Sequence, residues 1–403
     1  MERGALRKLL GVEPTGARDA VLVRAADAAE FQREFAAAVA GEGNVFLGNP
    51  TWGDADLARA REVMALADAP KHDRGWLMIP TGGTSGGLKF ARHDGHSLAA
   101  AVRGFAKHFA LERVNAVGVL PLYHVSGLMA WLRCVLTGGR YLAWDWKQLE
   151  AGAWPDRGAG EWVISLVPTQ LERLLRQPDA VARLREFRAV FLGGAPAWPD
   201  LLERAAAARV PLALSYGMTE TAAMVAAVRP EEFLAGDRSS GRGLPHARLW
   251  VDGDGVVQVS GSSLFRGYFP AWRHERTYFA TSDAGAIDAA GRLTIHGRRD
   301  AAIVSGGEKV HPSEVEAALR AVVGVGEFAV IGLPDAEWGE RVVVVFDGGG
   351  EFSVEQAQAA AARLAPTQRP KAFVALPEWP RNEAGKLNRV RLRELAARVS
   401  SGR

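Results

Sequence analysis

Between residues 115 and 216 the chain repeats one pattern four times. The short apolar runs "NAVGVLP" (115–121), "EWVISLVP" (161–168), "RAVFLGG" (188–194) and "VPLALSY" (210–216) read as buried strands. "GHSLAAAVRGFAKHFAL", "TQLERLLRQ" and "WPDLLERAAAA", before and between them, have helical spacing. Strands alternating with helices can pair only by helical crossovers, so this stretch predicts a mostly parallel sheet covered by helices. At 403 residues the chain exceeds what one hydrophobic core supports, and two or more domains follow.

The rest of the chain has a different texture. Residues 1–70 are Ala-rich and helical in pattern, without a motif. After about residue 245, "LWVDGDGVVQVSG" and "GAIDAAGRLTIHG" each set a turn signal between β-rich flanks, as hairpins do. From Asp300 the order reads helix "SEVEAALRAV", strand "EFAVIGL", strand "ERVVVVF", helix "SVEQAQAAAARL", strand "KAFVAL". Ser353 followed by Gln356 is a capping pattern for the second of these helices. The expected fold class is α/β, with a large N-terminal domain (1–299) of helix-covered, mostly parallel sheets carrying a small β subdomain. A small mobile C-terminal α+β domain (300–403) would follow.

Charge and cysteine usage limit the partners. A formal charge of +3, spread without runs of like sign, gives no reason to expect nucleic acid or an anionic membrane. The single cysteine, Cys134, lies in the apolar run "LMAWLRCVL" and reads as a buried thiol in a reducing compartment. No apolar stretch approaches the ~20 residues that span a bilayer, and "MERGALRKLLGVEPTG" has no signal-peptide core, so a cytoplasmic location is expected.

"IPTGGTSGGLKFARH" (79–93) concentrates glycines, hydroxyls and a lysine between a strand, "WLMIP", and a helix that can start within "HDGHSL". Glycines let backbone N–H groups close on an anion, and Thr81, Thr84, Ser85 and Lys89 add donors and a charge. The Walker pattern needs lysine directly after the last glycine and then Ser or Thr. Leu88 and Phe90 occupy the wrong places, which excludes a Walker-type NTPase. No zinc spacing is visible, and His93 and His96 of "HDGH" read as surface residues.

Four further segments follow in order: "SYGMTETAAM" (215–224), "TSDAG" (281–285), "GRRDAAIVSGGEKVHPSEVEAAL" (297–319) and "PRNEAGKLNR" (380–389). With the loop, they resemble the adenylate-forming superfamily of acyl-CoA synthetases, peptide-synthetase adenylation domains and luciferases, over about residues 75–395. The resemblance implies ATP, Mg²⁺ and CoA as co-substrates. The loop, at Thr81, Gly82, Gly83, Thr84, Ser85, Gly86 and Lys89, would grip the β- and γ-phosphates. "TGG" replaces the usual Ser/Thr-Ser-Gly start, and Leu88 stands where proline is common. Tyr216 and Gly217 would meet the adenine, Thr219 the α-phosphate and Glu220 the metal. Asp283 would accept the ribose hydroxyls and Arg298 would add a donor.

Gly193 and Gly194 of "LGGAP" would lie between acyl group and adenine. Asp300 falls on the family's hinge, Lys386 on its catalytic lysine, and His124 of "PLYHVSG" at the mouth of the acyl site. Ser305, Gly306 and Gly307 would line the path of the CoA pantetheine. Chain length, "IPTGGTSG" and "SLVPTQLERLL" (165–175) are most similar to the o-succinylbenzoate–CoA ligase branch of menaquinone biosynthesis. Thr169 and Gln170 would then contact the acyl group, and Arg133 is a candidate for the substrate's second carboxylate. The implied partners are a small aromatic carboxylic acid, ATP and CoA, without nucleic acid or membrane insertion, with a homo-oligomer left open. The alternatives are another aryl- or acyl-CoA ligase, or an adenylating enzyme that loads a carrier protein's pantetheine.

Overall fold

The computed structural model describes residues 3–66, 75–81, 88–270, 277–320, 326–381 and 387–400. Among these residues the strands form four sheets. The central one has seven strands. Tyr141–Ala143, Asn115–Gly118, Trp162–Leu166, Ala189–Leu192 and Leu212–Met218 run parallel in that spatial order, and Ala223–Ala227 and Arg242–Gly243 extend it antiparallel. The expected parallel sheet is present, with an antiparallel edge the apolar runs did not announce.

Alternate residues of these strands enter two different cores. Val117, Ile164, Leu166, Val190, Leu192, Leu212 and Leu214 face one side. Ala116, Val163, Ala189, Phe191 and Ala213 face the other. Burial on both faces is why the strands read as unbroken apolar runs. The helices Gly95–Phe109, Pro168–Leu175 and Pro199–Ala207 fall where their spacing placed them, and the apolar run around Cys134 adds a further helix, Val125–Thr137.

A second sheet of five strands corrects the reading of residues 1–70. Val21–Val23, Val45–Leu47 and Leu77–Thr81 are parallel, and Lys89–His93 and Tyr268–Phe269 continue antiparallel. Two strands of three residues are thus threaded through a region that reads as helical, joined by the helix Ala28–Ala40. The Gly-rich loop also departs from expectation, because it connects two antiparallel strands. The helix Gly95–Phe109 starts only after "KFARH", capped by Asp94. Phe90 drives this: it is fully buried, edge-on to Phe46 at 5.1 Å, which holds the segment extended.

The predicted hairpins form a third, antiparallel sheet, ordered Ala247–Val251, Val256–Gly261, Tyr278–Ile287, Leu293–Arg298. The fourth sheet belongs to a small C-terminal domain. Phe328–Asp335 and Gly339–Asp347 pair antiparallel, and Ala372–Leu376 joins parallel. One face carries Pro312–Arg320 and Val354–Ala361, the other Arg389–Ser400. Ser353 caps its helix, its hydroxyl accepting from the Gln356 N–H at 3.3 Å.

Candidate active site

The five parallel strands of the central sheet all end at one edge. The chain leaves Asn115–Gly118 for the outer strand Tyr141–Ala143, then crosses to Trp162–Leu166 on the other side. In an open α/β sheet such a reversal of strand order opens a crevice beyond the carboxyl ends. The candidates cluster there. His124, half-buried at the start of the helix Val125–Thr137, follows the first strand. Thr169 and Gln170 follow the next, Gly193 and Gly194 the one after, and Tyr216 and Gly217 lie on the last. Thr169 is exposed; the Gln170 side-chain carbonyl instead accepts the Val167 N–H at 3.0 Å and caps its own helix. Gly217 has a backbone reason for its identity, since a Cβ there would lie 2.0 Å from the Ala223 carbonyl oxygen of the adjacent strand.

Two carboxylates stand beside this edge, each tied to a tyrosine. Tyr216 donates its hydroxyl to Asp283 Oδ2 at 2.7 Å, bridging the central sheet to the antiparallel one. Asp283 and Arg298 are paired across neighbouring strands, which puts the Arg298 Nε 4.0 Å from Asp283 Oδ1. Burial first, and then Asp283, pushes the Tyr216 phenol upward, so it stays a donor at neutral pH. At the turn Thr219–Thr221, Glu220 Oε1 accepts from the Tyr268 hydroxyl at 2.6 Å. Lys89 sends its ammonium over the Tyr268 ring, 4.4 Å from the centroid. Thr81 lies opposite Lys89 in the hairpin, its hydroxyl 3.5 Å from the Lys89 carbonyl.

Among the described residues no three His, Cys, Asp or Glu side chains gather as a metal cage. A Mg²⁺ ion is commonly held by one or two carboxylates together with substrate phosphates. Glu220 beside a lysine and a hydroxyl-bearing turn fits that donor set.

One histidine and one arginine are not what the sequence suggests. His93 is fully buried, not on the surface. Its Nε2 donates to the Thr219 carbonyl at 2.7 Å, and Nδ1 meets the Ser97 hydroxyl at 3.0 Å. It ends a strand whose positions 90–93 are all buried, so both faces of the strand lie inside. Burial lowers its pKa to about 4, against the bond to Thr219. His96, the second residue of the helix, is exposed as expected. Arg133 is buried with its guanidinium 3.9 Å from the Phe105 ring centroid, within the apolar layer that also encloses Cys134. Nine helical positions on, it lies roughly 13 Å along the axis from His124, and its burial takes it out of reach of the second carboxylate it is a candidate for.

In the C-terminal domain, Gly306 and Gly307 form the tip between Ile303–Ser305 and Glu308–Val310. Their φ values, +60° and +81°, are those of a two-residue hairpin turn that favours glycine at both places. Ser305 is fully buried by the alternation of its strand and does not line an open path. Asp300 falls in the turn Arg299–Ala301, between the antiparallel sheet and the small domain. Gly82, Gly83, Thr84, Ser85, Gly86 and Lys386 lie outside the described residues, as does the Asp300 side chain.

Sequence reasoning missed Tyr268 and His93.

Known proteins place this geometry in a family. Residues 13–269 match the AMP-binding enzyme family and residues 314–386 its C-terminal domain. A 2-succinylbenzoate–CoA ligase of Enterococcus faecalis is 30% identical over 77% of this chain and 67% of that protein. One from Oceanobacillus iheyensis is 33% identical over 68% of this chain and 60% of that protein. A probable 2-succinylbenzoate–CoA ligase of Mycobacterium tuberculosis is 34% identical over 78% and 83%. The chain thus spans between 60% and 83% of these relatives' lengths. The o-succinylbenzoate CoA synthetase of Bacillus subtilis, solved with its acyl-adenylate intermediate, superposes with a TM-score of 0.79 at 23% identity. That match covers 97% of this chain and 92% of that one, and at this identity it speaks for the fold. No helix among the described residues is long and apolar enough to cross a membrane. The chain belongs to the AMP-binding enzyme family.

Proposed function

We propose that the chain is an AMP-forming acid–CoA ligase whose acid is o-succinylbenzoate, a step of menaquinone biosynthesis. The observation that carries this reading is the convergence of Tyr216–Asp283–Arg298 and Lys89–Tyr268–Glu220 at the carboxyl edge of one sheet. The first set offers a carboxylate for vicinal hydroxyls beside an aromatic face; the second offers one carboxylate and one cation for a metal-bound polyphosphate. The named relatives, 30–34% identical, support the choice of acid.

In the first step an oxygen of the acid attacks the α-phosphorus, the bond to pyrophosphate breaks, and acyl-AMP forms. Asp283 holds the ribose, Arg298 adds a donor, and Thr219 lies where the α-phosphate passes. When bound at Glu220, Mg²⁺ supplies charge neutralisation of the phosphates. Lys386 supplies the cation for charge that develops on the α-phosphoryl. In the second step the CoA thiolate attacks the acyl carbon and AMP leaves. We place the acyl group between His124, Thr169 and the strip Gly193–Gly194, and the thiol's approach at Gly306–Gly307. A domain division at 299/300, with Asp300 as hinge, would let the small domain present Lys386 and then the glycine turn. Contacts that hold one orientation include the Ser313 hydroxyl on the His296 carbonyl and Arg320 over the Trp198 ring at 5.4 Å.

The test is CoA-dependent AMP release from MgATP with o-succinylbenzoate, beside benzoate, acetate and a medium-chain fatty acid. A strong preference for o-succinylbenzoate is the expected result. Turnover of a different acid would discard the substrate and keep the mechanism. AMP release with none of them would overturn the ligase reading.

A further inference from the structure

Tyr268 is the aromatic residue that joins the two charged groups at the phosphate end of the site, and the geometry explains how. Tyr268–Phe269 pairs antiparallel with Lys89–His93, Tyr268 lying opposite Ala91. Opposed residues share a face, and so does Lys89, two positions before Ala91, which makes it the diagonal neighbour of Tyr268. The ammonium duly lies on the ring, 4.4 Å from its centroid. The same ring's hydroxyl donates to Glu220 Oε1 at 2.6 Å. Glu220 is gripped at its other end too, because its backbone carbonyl accepts the Phe265 N–H at 2.8 Å. Phe265 packs edge-on to Tyr268, with centroids 4.9 Å apart, so the segment 265–268 holds both ends of one glutamate. Among the described residues Glu220 has no ion pair that could fix its carboxylate instead.

We propose that Tyr268 is a positioning residue: its hydroxyl aims the Glu220 carboxylate for the metal, and its ring face orders Lys89 beside that carboxylate for the phosphates. This rests on the reading of Glu220 and Lys89 as the metal and phosphate groups. Tyr268 itself need not touch the nucleotide.

The test uses the whole protein and ATP binding by calorimetry, without acid or CoA, over a series of free Mg²⁺ concentrations. Tyr268→Phe keeps the ring and loses the donor. It should raise the Mg²⁺ concentration for half-maximal ATP affinity by roughly tenfold, the worth of one hydrogen bond to a charged group. Its ATP affinity without Mg²⁺ should match the wild type. Tyr268→Leu removes the ring as well, and should also lower the Mg²⁺-free affinity, by about two- to fivefold. Glu220→Gln separates this proposal from the reading beneath it. If Glu220→Gln leaves the Mg²⁺ requirement where it was, the metal reading has failed. If Glu220→Gln raises it and Tyr268→Phe does not, the role given to Tyr268 is overturned.

Discussion

Tyr216 and Tyr268 each give a phenolic proton to a carboxylate, at 2.7 Å to Asp283 and 2.6 Å to Glu220, but the seams they close are of different kinds. Tyr216 crosses from the central sheet to the antiparallel one over an apolar layer of Val225, Ala226, Val257, Val259, Leu264 and Leu293. Tyr268 closes a polar seam. Beside it His93 reaches the Thr219 carbonyl, and Asp94 binds the Arg266 guanidinium at 2.8 and 3.2 Å. Packing sets the geometry of the first carboxylate before any hydrogen bond is counted. The second depends on its hydrogen bonds and charges, so solution conditions and single polar substitutions should reach it more easily.

The largest effect belongs to neither pair. If both carboxylates serve binding, the charge that forms on the α-phosphoryl must be met from elsewhere, and Lys386 is the group proposed for it. Lys386→Ala should slow acyl-AMP formation by roughly 10²–10³-fold, as loss of one preorganised charge contact does. Thioester formation from pre-made acyl-AMP should be largely spared. Pyrophosphate exchange and CoA consumption, measured separately, check this; equal losses in both would show that the lysine does not divide the steps.

Removing a carboxylate from the apolar seam should cost less. Asp283→Ala takes away the acceptor proposed for the ribose, and hydrogen bonds to a charged group are worth about 1.5–3 kcal/mol. KM for ATP should rise by about 10- to 100-fold with kcat changed much less, the pattern of lost uniform binding. The variant should also stop discriminating ATP from 2′-deoxy-ATP. Discrimination that survives would move the ribose to another partner.

The polar seam should betray itself in pH. His93 has a folded pKa near 4, lowered by burial, against about 6.5 in an unfolded chain. The unfolded chain therefore binds more protons between those values, and stability must rise with pH across the window. The contribution is complete above about pH 6.5 and is lost as pH falls toward 4, at up to about 1.4 kcal/mol per pH unit. His246, also held near 4 by burial, adds to the same slope. Between pH 7 and pH 5 the wild type should lose about 2 kcal/mol more than His93→Gln, measured by denaturant unfolding. Identical losses would remove His93 from the account.

How far each seam was legible follows from the length scale of its signals. Four strands of the central sheet are written in mostly apolar runs of four to seven residues that feed cores on both faces, and those runs stand out. Val21–Val23 and Val45–Leu47 are too short to show any period, so their sheet was hidden among helices. Tyr216 and Asp283 sit inside recognisable segments, although only the structure shows that the tyrosine's hydroxyl is committed to the aspartate. Tyr268 and Glu220 are 48 residues apart in the chain, and nothing local to "FRGYFP" announces the contact. His93 and Arg133 show the converse error. Polar residue types invite a surface or ligand reading, and only the surrounding strand and helix decide that both are inside.

The smallest effect is also the one that decides whether the two seams differ as argued. Tyr216→Phe removes a single hydroxyl from Asp283 and leaves the ring in its apolar layer. A hydrogen bond to a charged group is worth about 1.5 kcal/mol or more, but the packed layer holds Asp283 without it, so KM for ATP should rise only about fivefold. Asp283 keeps its lone pairs for the ribose, and preference for ATP over 2′-deoxy-ATP should therefore persist, in contrast to Asp283→Ala. Tyr268→Phe removes the same chemical group from the polar seam and should shift the Mg²⁺ requirement by about tenfold. The two substitutions are chemically identical, so any difference between them comes from the surroundings. If Tyr216→Phe proves the costlier, or erases the 2′-deoxy preference, then the hydroxyl and not the packing sets Asp283, and the two pairs are one device used twice.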